Sequence, residues 1–505
     1  MTVKAFFFFC IPLLFLLAGC ERVGIGLSKD NSVVVGLEAF PDSLEPPYGS
    51  DAISQKIQRL CFASLLVLNP DGTFANELAS SVFMQDDVTF VFKLKDHLAF
   101  SDGSPLTAFD VASAYKEILG SGTPFSPRGA YTIIQSVEAE DRSRVVFTLK
   151  EPFAPFLMLA TFGISKKRAE GGPRLASGPY EIEKVIDNRQ ILLKENERWI
   201  GKHPSIKRVS FKLIPEESAR VDELKRGSID ILLNGISPEL LSFLQEDPQM
   251  VVSQTPGSSF TYISLNLHNP YLSDVRVRQG LNLAIDREKL AKSLYKGMVV
   301  PSDSILPSGH WARHPKIGAP PFDSKKAKEL IEEANEAFSK SGGAIPANLT
   351  LKVSGDPAML RLAEALRVFF LDAGVNVGIQ ARGRGAFFEE IKSGLFDMHI
   401  LTWVKVTEPD FYRTLFFSSS IPPAGDNRGF YANPLLDGLL LKARSSYDRE
   451  LRREVYWRVQ EILSQDLPYL HLWHTLNTLI HCRSIEGAKP DALGSFGFLL
   501  EATRS

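Results

Sequence analysis

The feature that most constrains this chain is a single apolar segment near its amino end. Lys4 is followed by Ala5–Leu17, which is almost wholly apolar and contains four consecutive phenylalanines. A stable membrane-spanning helix needs about 20 apolar residues, so this segment is too short to span, but it suits the core of a signal peptide. No later apolar run approaches that length. We therefore expect residues 1–19 to direct export and the remainder to fold outside the bilayer.

A cysteine preceded by small residues ends this segment. Leu17-Ala18-Gly19-Cys20 resembles a bacterial lipobox, which predicts that Cys20 carries acyl chains such as palmitate. An ordinary cleavable signal with an incidental cysteine is the alternative. Glu21 is not an aspartate, so no plain inner-membrane retention signal follows, and either membrane of the envelope remains open. We expect a lipid-anchored, periplasmic or extracytoplasmic protein with residues 20–32 as its tether.

Charge and composition exclude several classes of partner. The net charge is −2, from 57 basic and 59 acidic residues, which provides no broad attraction to nucleic acid or anionic lipid. A content of 44% apolar and 23% charged residues is that of a globular protein, and the length predicts two or three lobes. Of the four cysteines, Cys61 and Cys482 are expected in the folded part. They are compatible with one disulfide or with two separate thiols.

Strand and helix patterns are mixed along the chain. Alternating apolar residues predict strands around residues 90–94, 145–149 and 209–213. Thr107 and Asp110 form the pattern of a capping box, which begins a helix that Gly120 ends. Further helices are predicted around residues 277–285, 287–296, 358–373 and 451–462. This mixture predicts an α/β fold, or α+β with mixed sheets.

The chain lacks the common catalytic signatures. It contains no G-x-S-x-G, Walker A, H-E-x-x-H or C-x-x-C sequence. His471, His474 and His481 are clustered, but too few further ligands lie nearby in sequence for a metal site, so we interpret them as packing residues. We predict no enzyme, no cofactor and no metal. An envelope enzyme built from scattered carboxylates and a lysine remains an alternative.

Separated segments resemble the family 5 extracellular solute-binding proteins, the lipid-anchored or periplasmic receptors of oligopeptide, dipeptide and nickel ABC importers. The sharpest match is FSDGSPLTAFDV at residues 100–111, which is similar to the family's FSDG-x-PLTA-x-DV signature. The others follow in family order: DSLEP at 42–46, SGPY at 177–180, GSID at 227–230, SDVRVRQ at 273–279, AIDR at 284–287, FDM at 396–398 with Trp403, and NP at 433–434 with Asp437. Together they span about residues 33–488.

The resemblance implies two lobes that close over a ligand, with a subdomain on the first lobe. We expect the chain to cross between lobes near Tyr262–Leu267 and near Trp473–His481. The expected divisions are lobe I at 33–50, 171–264 and 478–505, its subdomain at 51–170, and lobe II at 265–477. The family also implies two permease subunits and cytoplasmic ATPases as partners, and we expect a monomer.

The stretch around Trp403 departs from the family pattern. In peptide-binding members an Asp three residues after the Trp pairs with the free amino terminus of the peptide, and the matching residue here is Val406. Those members often carry an Arg three residues before the Trp, where this chain has Ile400. A buried ammonium without a partner costs several kcal/mol, so Val406 would hold a free amino terminus poorly. Glu408 or Asp410 is a candidate for a displaced carboxylate.

Lys405 would instead favour an acidic or carboxylate-bearing ligand. The resemblance implies an oligopeptide as the ligand. The departures at this stretch leave a blocked or non-peptide solute as the alternative, such as a cell-wall fragment, another polar metabolite or a metal chelate. The alternative for Trp403 is plain core packing. The further candidate ligand-binding residues are those that flank the crossings, those after DSLEP and two aromatic residues of the subdomain: Tyr262, Ser264, His471, Trp473, Ser50, Asp51, Phe125 and Tyr131.

Overall fold

The computed structural model describes residues 31–49, 51–120 and 128–505, without the side chain of Arg128. Cys20, Ser50 and Phe125 lie outside these residues, as do the predicted signal and most of the predicted tether. Within the described ranges, no helix has the length and apolar character that crossing a membrane requires.

The helices and strands alternate irregularly along the chain. The strands are β1 (Ser32–Leu37), β2 (Leu66–Leu68), β3 (Phe74–Asn76), β4 (Ala79–Asp86), β5 (Thr89–Leu94), β6 (Ile134–Ala139), β7 (Arg144–Leu149), β8 (Tyr180–Ile186), β9 (Gln190–Glu195), β10 (Arg208–Leu213), β11 (Ile231–Leu233), β12 (Met250–Leu265), β13 (Val299–Pro301), β14 (Leu349–Ser354), β15 (Val377–Arg382), β16 (Met398–Trp403), β17 (Tyr469–Cys482), β18 (Ile485–Glu486) and β19 (Thr503–Arg504). The helices are α1 (Ala52–Cys61), α2 (Ala108–Leu119), α3 (Arg128–Tyr131), α4 (Phe156–Leu159), α5 (Glu217–Lys225), α6 (Pro238–Gln245), α7 (Val275–Ala284), α8 (Arg287–Tyr295), α9 (Ser324–Lys340), α10 (Pro357–Asp372), α11 (Arg384–Lys392), α12 (Phe411–Phe416), α13 (Pro434–Ser445) and α14 (Arg449–Asp466).

A mixed 11-stranded sheet forms the backbone of the fold, in the order β15-β14-β16-β12-β17-β11-β1-β10-β9-β8, with β13 also paired to β17. The predicted mixed α/β class is therefore confirmed. The sheet has two halves, and β12 and β17 lie between them. We use the term first half for β11, β1, β10, β9 and β8, and second half for β15, β14, β16 and β13.

The two long strands β12 and β17 join these halves. They pair from Met250 opposite Cys482 to Pro256 opposite Leu476, and again from Phe260 opposite His474 to Ser264 opposite Tyr469. The ladder is irregular between Pro256 and Phe260. Beyond this break, β12 pairs with β16 of the second half, whereas the far end of β17 pairs with β11 of the first half. The break thus lies before the predicted crossing at Tyr262–Leu267.

Separate cores cover the faces of the two halves. In the second half, one apolar cluster includes Leu281, Leu366 and Trp473 on one face, and another includes Tyr262 and Tyr456 on the opposite face. In the first half, α1 packs with β1, β8 and the carboxyl-terminal segment. A four-stranded antiparallel sheet, β4-β5-β7-β6, packs with α2 in a further cluster, whose residues run from Ala63 to Leu175.

The predicted local elements are present. Thr107 and Asp110 form the capping box at the start of α2, which ends before Gly120. The Asp286 side chain accepts from the Lys289 N–H and caps α8. The other predicted helices are found at α7, α10 and α14. Short-range periodicity and capping chemistry are sufficient for such elements, because their hydrogen bonds are local.

The SGPY segment makes a close backbone contact with the end of α1. The Gly178 N–H donates to the Cys61 carbonyl at 2.9 Å, and the Ser177 hydroxyl accepts from the Ala63 N–H at 3.0 Å. A Cβ at Gly178 would lie 2.9 Å from the Cys61 carbonyl carbon. The Tyr180 hydroxyl donates to the Ile206 carbonyl at 2.8 Å. The motif therefore holds α1 against β8.

Cys61 and Cys482 are both free thiols. Cys61 is fully buried, and burial raises the pKa of its thiol. The Cys482 Sγ lies 3.2 Å from the Ser484 hydroxyl. Of the two arrangements that the sequence allows, the structure has the separate thiols.

We expect Gly178→Ala to lower the free energy of unfolding by about 1–3 kcal/mol, because the added methyl overpacks rigid backbone. Gly438 on α13 is exposed and has no atom within 4 Å of an added Cβ, so Gly438→Ala should instead stabilise by about 0.5–1 kcal/mol. Urea denaturation of both variants measures the difference. Equal effects of the two substitutions would contradict the close contact at Gly178.

Candidate ligand-binding site

Trp403 lies at the end of β16, opposite Phe260 of β12. Its indole is half-buried, with the Phe411 ring edge-on at 5.2 Å and the Arg428 guanidinium 5.0 Å above it. Among the described residues, the indole Nε1 has no hydrogen-bond partner. Trp403 is therefore a half-buried side chain at the end of an internal strand, packed against the apolar cluster that contains Tyr262 and Tyr469.

Lys405 leaves the strand in a left-handed conformation, with φ of 55°. Its Nζ donates to the Gln55 Oε1 on α1 at 3.2 Å, so the segment after Trp403 reaches an element that packs on the other half of the sheet. Burial, together with the nearby charge of Lys56, lowers the pKa of Lys405 to about 8 against the opposing influence of Asp51. The ammonium is thus poorly compensated.

Val406 is buried in the apolar cluster around Tyr456, and its N–H donates to the Ser258 carbonyl at 2.9 Å. The backbone of this loop is therefore fastened to β12, while its side chain faces the core. An apolar, buried residue provides no charge for a ligand ammonium at this position.

Glu408 and Asp410 are both held by arginines of the same half. The Arg452 Nη2 lies 2.7 Å from the Glu408 carboxylate, and only 11% and 15% of these two side chains are exposed. Asp410 forms an ion pair with Arg444 of α13. Burial raises the pKa of Glu408 and of Asp410, and the arginines oppose the rise. This pairing argues against either carboxylate as a displaced anchor for an amino terminus.

The predicted residues at the strand crossings lie within the sheet. Tyr262 is fully buried and stacks on Tyr469 with ring centroids 4.1 Å apart. Ser264 is fully buried opposite His399, and Trp473 is buried beside Tyr295.

His471 lies on the same face as Tyr469, and burial lowers its pKa to about 3. Among the described residues, the four predicted crossing residues contact strand and core neighbours and not the Lys405–Gln55 pair.

The remaining candidates are dispersed. Asp51 caps α1, where its carboxylate accepts from the Ile53 and Ser54 N–H groups at 2.9 Å each. Tyr131 is buried in the subdomain near Tyr115, with ring centroids 6.3 Å apart. Ser50 and Phe125 lie outside the described residues. Asp51 is therefore a helix cap one turn before Gln55, and Tyr131 belongs to the core around the four-stranded sheet.

Sequence reasoning missed Gln55, Lys56 and Arg428. Gln55 and Lys56 follow the Asp51 cap on the first turns of α1, so recognising that helix start would have placed them after DSLEP. Arg428 is only 5% exposed, forms an ion pair with Asp426, and has no partner for its Nε and Nη1 among the described residues. No sequence signal points to its position over Trp403, which results from loop packing.

No group of three His, Cys, Asp or Glu side chains in the described parts of the chain is arranged to hold a metal ion. The histidines of β17 illustrate this: the His474 Nε2 lies 2.9 Å from the Ser304 carbonyl and the His481 Nδ1 lies 3.0 Å from the Cys482 carbonyl. Between the two halves, the Lys405–Gln55 contact therefore brings an ammonium and a neutral amide together, two residues after the Trp403 indole.

We expect Arg452→Met to lower the free energy of unfolding by about 3–5 kcal/mol, because Glu408 would remain buried without its counter-charge. Combining it with Glu408→Gln should restore a large part of the loss, which a double-mutant cycle by urea denaturation measures. Lys116 and Glu138 form an exposed pair, so Lys116→Met should cost less than about 1 kcal/mol. Similar losses for Arg452→Met and Lys116→Met would contradict the structural role of the buried pair.

Comparison with known proteins agrees with this architecture. The chain is 27% identical over 478 residues to the probable D,D-dipeptide-binding periplasmic protein of Escherichia coli (strain K12), covering 90% of each chain. The periplasmic murein tripeptide-binding protein MppA, in its unliganded open form, is similar in structure with a TM-score of 0.80 at 21% identity, covering 95% of this chain and 98% of that one. The oligopeptide-binding protein AppA of Bacillus subtilis, in complex with a nonapeptide, has a TM-score of 0.72 at 23% identity, covering 94% and 99%.

The fold is therefore that of the two-lobed periplasmic binding proteins, as the resemblance implied. The model of the bacterial extracellular solute-binding proteins, family 5, matches residues 73–422, which is more than half of the chain. This chain belongs to the family 5 bacterial extracellular solute-binding proteins.

Proposed function

We propose that this chain is the substrate-binding receptor of an ABC importer, which captures a peptide between two lobes and delivers it to a membrane permease. The observation that carries the proposal is the contact of Lys405, after β16 of the second half, with Gln55 of α1 beside the first half. We place the ligand site between the halves, beside the segment after Trp403. Interlobe clefts are the usual location of ligand sites in such folds.

The hinge is assigned to the break in the β12–β17 ladder. Pro256–Phe260 and the facing His474–Leu476 separate the part of β12 that pairs beside the first half from the part that pairs with β16. We therefore divide the lobes here, slightly before the boundary predicted at residues 264–265, and include α1 in lobe I. Closure about a few residues at element ends is a common motion of periplasmic receptors.

A peptide held by main-chain hydrogen bonds is the ligand we favour. The similar proteins support it, since they are named for the binding of a D,D-dipeptide, a murein tripeptide and an oligopeptide. Recognition through the backbone tolerates varied side chains, which suits a transport receptor.

A blocked or non-peptide solute is the second candidate. The observation that favours it is the lack of a free carboxylate on the loop after Trp403: Val406 is buried in a core, and Glu408 and Asp410 are paired with arginines. A ligand with no free amine needs no carboxylate partner, so this loop would not weaken its binding.

The membrane attachment rests on the lipobox resemblance. Cys20 would carry the acyl chains, and the residues after it would tether the lobes to the envelope, next to two permease subunits with cytoplasmic ATPases. A receptor confined to the membrane surface meets its permease more often than one that diffuses freely.

We expect native mass spectrometry of freshly purified protein to detect one bound solute per chain. After its removal, adding it back should reduce the radius of gyration measured by small-angle X-ray scattering, because the lobes close on the ligand. The same incubation should leave the solute chemically unchanged.

The control for this experiment uses two tryptophans. Trp403→Ala should require at least about tenfold more ligand to give compaction, because a central aromatic contact is lost. Trp457 lies on α14, and its indole N–H donates a hydrogen bond to the Arg313 carbonyl at 3.0 Å. Trp457→Ala should leave the ligand concentration needed for compaction unchanged. Turnover of the solute, or no compaction with any solute, would contradict the receptor function.

Cys20→Ser should abolish metabolic labelling by palmitate and release the protein from the membrane fraction, since acyl chains provide the anchor. Cys482→Ser, which changes a cysteine of the folded part, should retain both. Membrane fractionation with fatty-acid labelling in a bacterial host measures this. Unchanged labelling of the Cys20→Ser variant would disprove the anchor.

A further inference from the structure

We infer that the gap beside Lys405 is a carboxylate subsite, in which the ammonium of Lys405, with that of Lys56 nearby, receives an acidic group of the ligand. The inference rests on the proposed receptor function and goes further by naming the chemical class of the ligand. The ligand is an acidic solute, whose carboxylate faces α1 across the gap.

The position of Lys405 is specific. The left-handed backbone at this residue, with φ of 55°, turns the chain out of β16 directly after Trp403. The next residue returns the chain to β12, because the Val406 N–H donates to the Ser258 carbonyl. A non-glycine residue in this conformation is uncommon, and it lies here between the end of β16 at Trp403 and the Val406 backbone bonded to β12.

The partner of Lys405 is neutral. Its Nζ meets the Gln55 Oε1 at 3.2 Å, and within the described residues it forms no ion pair with a carboxylate. Lys56, the next residue of α1, has its Nζ 5.8 Å from the centre of the Phe496 ring and likewise lacks an ion pair there. Two ammonium groups therefore lie near one another without direct counter-ions.

The nearby acidic groups do not fill this role. The Asp51 carboxylate accepts from the Ile53, Ser54 and Asp42 N–H groups, at 2.9, 2.9 and 3.0 Å, as the cap of α1. Glu38 and Asp491 attract Lys56 from the first half, and Asp491 also accepts from the Ser495 N–H at 3.0 Å. These groups moderate the charge without contacting the Lys405 ammonium.

A ligand carboxylate would supply the missing charge. Burying an ammonium without a counter-ion is costly, and charge-assisted hydrogen bonds are about twice as strong as neutral ones. The pKa of Lys405, which burial and Lys56 lower to about 8, reflects that cost in the free protein. A carboxylate in the gap would favour the protonated form.

The same loop disfavours a positively charged group of the ligand. A ligand ammonium placed here would face Lys405 and Lys56, while Glu408 and Asp410 are already bound by Arg452 and Arg444. Two sources of ligand carboxylate fit the chemistry: the free carboxyl terminus of a peptide and an acidic side chain. The experiment therefore has to distinguish a carboxyl terminus from an acidic side chain.

The test is a set of matched ligands against matched variants, measured by isothermal titration calorimetry. We would use the tripeptide Ala-Glu-Ala, its carboxyl-terminal amide, Ala-Gln-Ala, and each of these with an acetylated amino terminus. Wild-type protein should prefer the carboxylate over its amide at one of the two positions by tenfold or more, and acetylation should change affinity by less than threefold. The position with the preference identifies the source.

The variants then assign the preference to the lysine. Lys405→Gln should reduce the preference for the carboxylate to less than threefold, and Lys405→Arg should retain it. Lys56→Gln should reduce it partly, since Lys56 acts from a neighbouring position on α1. Lys325 of α9 is highly exposed, so Lys325→Gln removes the same charge elsewhere and should leave the preference unchanged. Thermal melts verify that each variant folds.

The pH dependence gives an independent readout. Because the free protein loses the Lys405 proton as pH rises through about 8, the wild-type preference should fall between pH 7 and pH 9. Lys405→Arg should keep its preference over this range, because a guanidinium stays protonated. The charges of Lys56 and Asp51 also act on Lys405 and influence the midpoint, but the pKa of Asp51 is lowered, so Asp51 is ionised throughout the range.

The outcomes separate the two proposals. Equal binding of acids and amides by wild-type protein, or an unchanged preference in Lys405→Gln, would overturn the carboxylate subsite and leave the receptor intact. If no tripeptide binds, the solute identified by mass spectrometry replaces them, and a solute without an acidic group would likewise overturn it. The detection of no bound solute and no compaction would overturn the receptor function itself.

Discussion

The pairing of β12 with β17 is the constraint on which the rest of the structure depends. These strands are the only described elements shared by both halves of the main sheet, and each half completes its own core on either side of them. The ladder between them is irregular at two places, between Pro256 and Phe260 and between Thr261 and Tyr262.

Of the charged residues in the loop after Trp403, the two carboxylates form buried ion pairs, whereas the lysine does not. Glu408 and Asp410 point towards α13 and α14, whose arginines neutralise them inside one half. Lys405 points the other way, to α1. The buried pairs hold the loop in place because separating either pair would leave an uncompensated charge in an apolar core. Support of this kind fixes the position of the loop that follows Trp403.

Much of the local structure could be predicted from the residues. The helix that begins at Thr107, the cap at Asp286 and the end of α2 before Gly120 depend on neighbours within a few positions, and all are present. The SGPY segment was recognised from its sequence, but the need for glycine in it is a tertiary effect. The Cys61 carbonyl lies so close to Gly178 that a Cβ would not fit. Tyr262 and Trp473 were predicted to contact ligand, yet their side chains pack into cores.

The candidate site was predicted in part. The loss of a carboxylate at Val406 is visible in the sequence, and so is a lysine beside it. The partners of the neighbouring charges are not, because Arg452 is 44 positions from Glu408 and Gln55 is 350 positions from Lys405. Side chains so far apart meet only through the packing of whole elements, which no local pattern encodes.

By itself, the sequence determined the mixed α/β class, the family, the capped helices and the absence of an acidic residue at position 406, since these depend on residue identity and short-range periodicity. Only the tertiary structure decided where the two halves join, which carboxylates are neutralised and which ammonium stays unpaired. The physical reason is that the free energy of a charge depends on its burial and on its neighbours in space, and both are set by long-range strand register and helix packing.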